Sequence, residues 1–258
     1  MNPHVPRAPR HTPIALKRPV SHIVVTMWQR LLPFLPPIFL LPFLLSFSSA
    51  SLMAQQFGGE EVITTRADSA QSVYATDLDG DGDADVLSAS YHEDKIAWYE
   101  NLGNGSFHSG RDITTSADGA LSVYATDLDG DGDADVLSAS DRDDKIAWYE
   151  NLGNGSFHSG RNITTTANGA DWVYATDLDG DGDADVLSAS YSDDKIAWYE
   201  NLGNGSFHSG RNITTRADSA QSVYATDLDG DGDADVLSAS YYDDRSPGTR
   251  TSETATFT

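Results

Sequence analysis

The sequence predicts an all-β protein assembled from repeated four-stranded units. The first observation is a repeat: the segment YATDLDGDGDADVLSAS begins at Tyr74, Tyr124, Tyr174 and Tyr224, which sets a period of 50 residues. The second is the local pattern, because β-branched and aromatic residues fall in short runs bounded by glycine, aspartate and asparagine. No helical period is sustained within the repeat, so the unit is predicted to contain strands alone.

The repeat divides the chain into consecutive units. With Phe57 as the first position, three units are complete and the fourth keeps the pattern only as far as Asp244. The units cover residues 57–106, 107–156, 157–206 and 207–244.

Each unit is predicted to form four strands, which in the first unit cover residues 61–66, 72–76, 85–90 and 95–101. Asn104-Gly105 is a tight-turn signal that leads into the next unit. A four-stranded unit of this length matches one blade of a β-propeller, which buries its faces by stacking on neighbouring blades. The predicted fold is therefore a β-propeller-type array of about 3.75 units, with Trp98 in the core between blades and with either an incomplete or a small closed ring.

An aspartate-rich loop separates the second and third strands. Residues 77–85 place carboxylates at alternate positions, with Gly82 at the sixth position, where a sharp turn is needed. Oxygen ligands at positions 1, 3, 5, 7 and 9 suit Ca²⁺, whereas Mg²⁺ demands a tighter octahedron. Ser88 stands at position 12, where an EF-hand has a bidentate glutamate, and the flanks are strands. A solvated acidic turn is the alternative, but its carboxylates would repel one another without a cation.

The predicted calcium ligands of the first loop are the side chains of Asp77, Asp79, Asp81 and Asp85 and the backbone oxygen of Asp83. About one ion per repeat is expected. The corresponding residues are Asp127, Asp129, Asp131, Asp133 and Asp135 in the second unit, Asp177, Asp179, Asp181, Asp183 and Asp185 in the third, and Asp227, Asp229, Asp231, Asp233 and Asp235 in the fourth.

The motifs DLDGDGDADVL and KIAWYENLGNGSF resemble the FG-GAP and VCBS repeats of integrin-α-like β-propellers over residues 57–244. This resemblance implies calcium-stabilised blades that serve as binding or adhesion modules, sometimes attached to enzymes or lectins. Such propellers commonly have about seven blades, so this chain is a fragment, closes as a small four-bladed ring, or completes a ring by association. The blade edge after Ser240 is expected to favour self-association.

The first 54 residues are interpreted as a signal-peptide region. They contain basic but no acidic residues, and residues 31–47 are almost wholly apolar. Small residues before Ser51 predict cleavage near Ala50, and Met27 is the predicted true start because it gives a compact basic region. A membrane anchor is the alternative, although 17 apolar residues with four prolines are short for a span. The chain is therefore expected to be secreted or at the cell surface.

Residues 245–258 depart from the repeat and are predicted to be an unstructured tail. Loss of one base from codons for the expected Lys-Ile-Ala-Trp-Tyr continuation yields Arg-Ser-Pro-Gly-Thr, the sequence that starts at Arg245. We interpret the tail as the product of a frameshift, a hypothesis that an uninterrupted frame on resequencing would contradict.

Composition limits the function. The formal net charge of −24 disfavours nucleic acid as a partner, and the absence of cysteine excludes disulfides and thiolate chemistry. His108, His158 and His208 recur one per unit, so no catalytic cluster and no enzymatic activity are expected. The predicted function is a secreted binding or adhesion module for an extracellular protein or glycan. The alternatives are a non-catalytic fragment of a larger secreted carbohydrate-active enzyme, or a lectin that uses Trp172.

The units differ from one another mainly in two segments. One lies before the second strand, at residues 66–72 and its equivalents, and the other lies between the third and fourth strands, at residues 91–93 and its equivalents. Both are expected at the blade end opposite the aspartate loop. They are interpreted either as a ligand-facing rim or as exposed loops under neutral drift.

Overall fold

The computed structural model describes residues 23–25 and 59–242. All regular elements in these residues are strands, which confirms the predicted all-β class, and no helix among them is long and apolar enough to span a membrane. The strands are β1 (Ile23–Val25), β2 (Glu61–Thr64), β3 (Ala70–Thr76), β4 (Asp85–Ser90), β5 (Lys95–Tyr99), β6 (Arg111–Thr114), β7 (Ala120–Thr126), β8 (Asp135–Ser140), β9 (Lys145–Tyr149), β10 (Arg161–Thr164), β11 (Ala170–Thr176), β12 (Asp185–Ser190), β13 (Lys195–Tyr199), β14 (Arg211–Thr214), β15 (Ala220–Thr226) and β16 (Asp235–Ser240).

The strands form a series of antiparallel sheets. Three sheets have four strands, and we call them blade 1 (β3–β6), blade 2 (β7–β10) and blade 3 (β11–β14). Blade 4 has two described strands, β15 and β16. A separate two-stranded sheet pairs β1 with β2, before blade 1. The four strands predicted per unit are confirmed, with ends that differ by up to two residues.

Each complete blade takes its fourth strand from the next sequence unit. In blade 1, Trp98 of β5 pairs with Arg111 of β6, although Arg111 lies beyond the predicted unit boundary at Phe107. The turn between them is closed by an isolated bridge between Asn101 and Phe107. The repeat unit and the sheet are therefore out of phase, because strand pairing continues across the boundary at which the sequence starts to repeat.

The hydrophobic core lies between consecutive blades. Leu87, Ile96 and Trp98 of blade 1 pack with Val123 and Val136 of blade 2, and equivalent clusters join blade 2 to blade 3 and blade 3 to blade 4. Trp98 is only 1% exposed, which agrees with its predicted place in the inter-blade core. The tryptophans on the third strand of each complete blade therefore stabilise the array by contacts between blades.

The described blades form an arc that does not close into a ring. First strands of neighbouring blades contact each other in the series β3, β7, β11 and β15. Apart from β1, the predicted signal-peptide region lies outside the described residues, as does the predicted tail after Asp244.

Candidate metal-binding sites

The aspartate loop of blade 1 is held in a tight turn by its own first carboxylate. Asp77 Oδ1 accepts a hydrogen bond from the backbone N–H of Gly80 at 2.8 Å, and Oδ2 accepts one from Gly82 at 3.0 Å. Gly82 has a φ of 92°, a conformation that side-chain-bearing residues rarely adopt. The sequence therefore folds back on itself within six residues and brings later carboxylates toward Asp77.

Asp85 closes the loop from the opposite side. It is fully buried at the start of β4, and its two oxygens accept hydrogen bonds from Leu78 N–H (3.1 Å) and Asn101 N–H (2.7 Å). This one carboxylate thus joins the aspartate loop to the turn after β5. Each carboxylate oxygen can accept more than one hydrogen bond or metal contact, so Asp85 keeps capacity for a cation.

Three carboxylates converge in each of the four loops. In every group one oxygen per residue lies within 4.8 Å of the others. The groups are Asp77, Asp79 and Asp85; Asp127, Asp129 and Asp135; Asp177, Asp179 and Asp185; and Asp227, Asp229 and Asp231.

The remaining predicted ligands are placed differently. Asp81 accepts the backbone N–H of Asp83 at 2.8 Å and lies outside the first group, as do Asp131 and Asp181 in their loops. The carboxylate of Asp83 packs against Gly103, where a Cβ atom would collide with it. This orientation agrees with a role for Asp83 through its backbone rather than its side chain.

The equivalent side chains of Asp133 and Asp183 pack against Gly153 and Gly203. In the fourth loop Asp231 takes the place of Asp235 in the group, and Asp233 lies outside it.

Burial makes these carboxylates costly to ionise. It raises the pKa of Asp85 to about 6, of Asp135 to about 7 and of Asp185 to about 6, against the opposing effect of the two backbone N–H donors on each. Burial also raises the pKa of Asp79, to which neighbouring aspartates contribute. A cation at the cluster would offset both the desolvation and the mutual repulsion.

The donor chemistry fits a metal ion. All converging groups are carboxylate oxygens, the ligands preferred by hard divalent cations. The four aspartate clusters can therefore hold metal ions, one per repeat.

Comparison with protein families agrees with the repeat and its loop. A family model described as FG-GAP-like repeat matches residues 77–138, 127–188 and 177–238, so three overlapping matches each join one aspartate loop to the next. The chain belongs to the FG-GAP-like repeat family.

Solved structures resemble this FG-GAP-like repeat protein in fold. A lectin from Agrocybe aegerita, reported with specific recognition of non-reducing terminal N-acetylglucosamine, is 21% identical over 72% of this chain and 52% of that chain, with a TM-score of 0.53. The K499G mutant of the NanB sialidase from Streptococcus pneumoniae is 12% identical over 80% of this chain and 33% of that chain, with a TM-score of 0.48. The V. cholerae biofilm matrix protein Bap1 is 24% identical over 64% of this chain and 27% of that chain, with a TM-score of 0.39.

The likeness to the lectin supports a propeller-like arrangement of the blades. The chain spans about half the length of the lectin. A search of curated proteins gave no match.

The variable segments of the FG-GAP-like repeats lie together at the rim opposite the aspartate loops, which we call the variable rim. Backbone hydrogen bonds join Tyr91 to Ser69 at 3.1 Å and Asp141 to Gly119 at 3.0 Å. Arg142 lies over the Tyr91 ring at 4.3 Å and contacts Asp118 at 3.4 Å, so the rim also links neighbouring blades. The expected position of both variable segments is thus observed.

Two recurrent features were not assigned a role from the sequence. One is a row of tyrosines in tilted ring contact, Tyr74, Tyr124, Tyr174 and Tyr224, with successive ring centroids 4.6, 5.2 and 4.7 Å apart. These rings line a cavity of about 270 Å³ together with Trp172. The other is the asparagine after the third strand of the blade, which is Asn151 in blade 2. The signal in the sequence was the recurrence of the tyrosine in all four units and of the asparagine in the three complete units, but contacts to a neighbouring blade are not visible in the sequence.

Proposed function

We propose that this FG-GAP-like repeat protein is a calcium-binding, propeller-type binding module that acts outside the cell or on its surface and engages a protein or a glycan. The observation that carries the proposal is the division of each blade into two rims. The identical aspartate loops lie at one rim, and the residues that differ between units lie at the other. Such a division suits a metal-stabilised scaffold that presents variable contacts.

Calcium is favoured by the chemistry of the loops. Each loop offers carboxylate oxygens within 4.8 Å of one another, on a turn that allows a flexible coordination shell. Asp77, Asp79 and Asp85 would hold the ion in the first loop, with Asp81 and the backbone of Asp83 as further ligands. The ion would supply the positive charge that holds the hairpin of β3 and β4 closed.

Calorimetric titration of the full chain with Ca²⁺ tests the metal assignment. We expect one ion for each of the four loops, and chelation should lower the melting temperature of the β-rich fold. Asp79→Asn should remove or weaken one site, because it replaces a clustered carboxylate by an amide. Asp112→Asn is the matched control, since it removes the same charge from an exposed strand residue outside the loops. Absence of binding would contradict the metal assignment.

No catalytic role is part of the proposal. His108 lies 3.9 Å from Glu100 of the same blade, and His158 and His208 make the equivalent contact in the next two blades. Such spacing suits a recurrent surface contact better than a catalytic cluster.

Location outside the cell is supported by the family, since FG-GAP repeats are typical of extracellular proteins. The absence of cysteine fits a fold in which metal ions replace disulfides as cross-links. The predicted leader can be tested by N-terminal sequencing of the exported protein. We expect the sequence to begin directly after Ala50, and an intact N-terminus would contradict cleavage.

Glycan binding is the more specific candidate because of an exposed tryptophan ring. Trp172 occurs in the third unit alone and is 37% exposed beside the tyrosine row. Aromatic rings bind sugars through their apolar faces, so Trp172→Ala should abolish glycan-array signals that Trp172→Phe retains. An array without signal for the wild-type chain would favour a protein partner. Reading the complete gene would test the alternative of a non-catalytic part of a larger secreted carbohydrate-active enzyme.

A further inference from the structure

Consecutive blades contact each other through two different faces. The face of blade 1 that packs on blade 2 is called the leading face, and it contains Leu78, Leu87 and Ala89. The face of blade 2 that accepts it is called the receiving face, and it contains Ala120, Val123 and Ala125. The same two faces meet between blades 2 and 3 and between blades 3 and 4, so one interface is used three times in the described chain.

Within residues 59–242, no blade covers the receiving face of blade 1. Val73 is 58% exposed, whereas the equivalent Val123, Val173 and Val223 are at most 4% exposed. Ala75 is also exposed, although its equivalents in the other blades are buried. The outer part of this face is covered, because Ile63 of β2 packs against Tyr99 and its neighbours. The open part is therefore the half formed by the first strand.

The leading face of blade 4 is open in the same way. Leu228 is 51% exposed, whereas Leu78, Leu128 and Leu178 are at most 6% exposed. Ala239 is exposed, and its equivalents Ala89, Ala139 and Ala189 are fully buried. The two ends of the arc thus present the parts of the two faces that the first and second strands form, and blade 4 has no described strand with equivalents of Ile96 and Trp98.

We propose that a second copy of this chain docks head to tail, with the leading face of blade 4 of one copy on the receiving face of blade 1 of the other. The internal interfaces identify the occupant, because the exposed residues are the same residue types at the same repeat positions as those that bury one another within the chain. This contact is heterologous: two different faces meet, rather than one face meeting itself.

Two copies are the expected assembly. Each chain contributes four first strands, so a dimer has eight, at the upper end of the range of about four to eight blades found in propellers. Each copy would contribute one leading and one receiving face, so two junctions of the same kind close the ring and leave no face for a filament. The charge of −24 on each chain opposes association, so salt should strengthen the dimer. The inference concerns the blade faces and goes beyond the ligand-binding function proposed above.

Sedimentation velocity of the full chain over a range of concentrations, at about 0.15 M ionic strength with excess Ca²⁺, tests the proposal. The wild-type chain should form a dimer. Val73→Arg on the receiving face and Ala239→Arg on the leading face should each raise the dissociation constant at least about tenfold, because an unpaired charge would be buried at the junction. Leu202→Arg is the matched control, since Leu202 is 47% exposed outside both faces.

Mixing the two face variants separates this arrangement from other kinds of self-association. The Val73→Arg chain keeps its leading face and the Ala239→Arg chain keeps its receiving face, so the mixture should form a dimer that neither variant forms alone. Circular dichroism should show that both variants keep the β-rich fold, as their exposed positions allow. A wild-type chain that stays monomeric would overturn the proposal. So would Val73→Arg that dimerises like the wild type, the result expected for pairing through the β16 edge alone.

Discussion

At the scale of single residues, the buried amide of Asn151 joins two blades. Its Nδ2 donates to Leu78 O in blade 1 at 2.8 Å and to Ala134 O in its own blade at 3.0 Å. Asn101 occupies the same position in blade 1, but its side-chain amide donates to Ala84 O of its own blade at 3.0 Å, and it lies in a more exposed site. Among the described residues, Asn151 makes a hydrogen bond to another blade and Asn101 does not, although both stand in turns of the same sequence.

Asn151→Ala should lower the free energy of unfolding by about 1–3 kcal/mol, because two carbonyl groups lose a buried donor. Asn101→Ala should cost less, since it removes no bond to another blade. Urea denaturation monitored by circular dichroism measures both variants. Equal losses would mean that the cross-blade bond to Leu78 adds no stability.

The raised pKa values of the buried aspartates predict how pH acts on the metal-free protein. The pKa of Asp135 is about 7 in the folded chain because of burial, well above the 3.8 of an exposed aspartate. At a pH between 3.8 and about 7, Asp135 is therefore protonated in the folded chain but ionised in the unfolded chain. The contribution of this proton to the stability of the folded chain is complete below the unfolded pKa and is lost as pH rises through the folded pKa.

Calorimetry in chelator should accordingly show a melting temperature that falls between pH 5 and pH 7.5, a window around the pKa values of about 6 to 7 of Asp85, Asp135 and Asp185. Saturating Ca²⁺ should reverse the trend, because the ion binds the charged carboxylates. Asp135→Asn should flatten the slope in chelator. A melting temperature that rises with pH in chelator would contradict the assigned shifts.

At the scale of elements, the strands were predictable and their assignment to blades was not. Residues 85–90 form β4 as predicted, because the alternation of residue types and the flanking aspartates mark its ends. A repeat of 50 residues can be divided at any point, however, so its period carries no information on which strands pair. The pairing of β6 with β5 is decided by the turn from Asn101 to Phe107, whose closing bridge depends on three-dimensional contact.

The candidate metal sites were likewise predictable in part: the clustering of carboxylates was, and their hydrogen bonds to distant segments were not. The spacing of Asp77, Asp79 and Asp85 identified the clustered carboxylates, because alternate residues of a tight loop face a common point. The two hydrogen bonds of Asp85 to Leu78 and Asn101 were not predictable, since they join segments on either side of β4 and β5.

In blades 2 and 3, the turn after the third strand packs on the tryptophan of the preceding blade. Gly155 has a φ of 71°, and a Cβ atom there would lie 2.7 Å from the Trp98 ring. Trp98 also contacts Phe157 edge to face, with ring centroids 6.4 Å apart. The absence of a side chain at Gly155 therefore allows the turn of blade 2 to approach the core of blade 1.

Gly155→Ala should lower the free energy of unfolding by about 1–3 kcal/mol more than Gly80→Ala. Both glycines have positive φ, so both variants incur the same backbone strain, but a Cβ at Gly80 meets no atom within 4 Å. Urea denaturation in chelator compares them without the influence of a bound ion. Similar losses would show that the Trp98 contact relaxes easily.

At the scale of the whole molecule, identical strands occupy different surroundings. β4, β8, β12 and β16 all have the sequence DVLSAS, so their intrinsic amide exchange rates are equal. β8 and β12 are buried along their whole length, whereas β16 is partly exposed. Differences in exchange therefore report position in the array alone.

Hydrogen exchange measured by mass spectrometry on the dilute, monomeric chain should be faster in β16 than in β8 and β12. Peptides that cover residues 135–142, 185–192 and 235–242 are distinguishable, because the variable rim gives each strand a different continuation. Uniform exchange across the three peptides would mean that the array opens as one cooperative unit.

The sharing of strands between repeats has a consequence for how such a gene changes. Every complete blade takes its outer strand from the following repeat, so removal or duplication of any 50-residue stretch in register leaves each remaining sheet with the same complement of strands. Unequal crossing-over between near-identical copies can start at any codon of the repeat and still yield whole blades. The array can thus lengthen or shorten in single steps, and each intermediate length encodes a chain that folds by the same contacts.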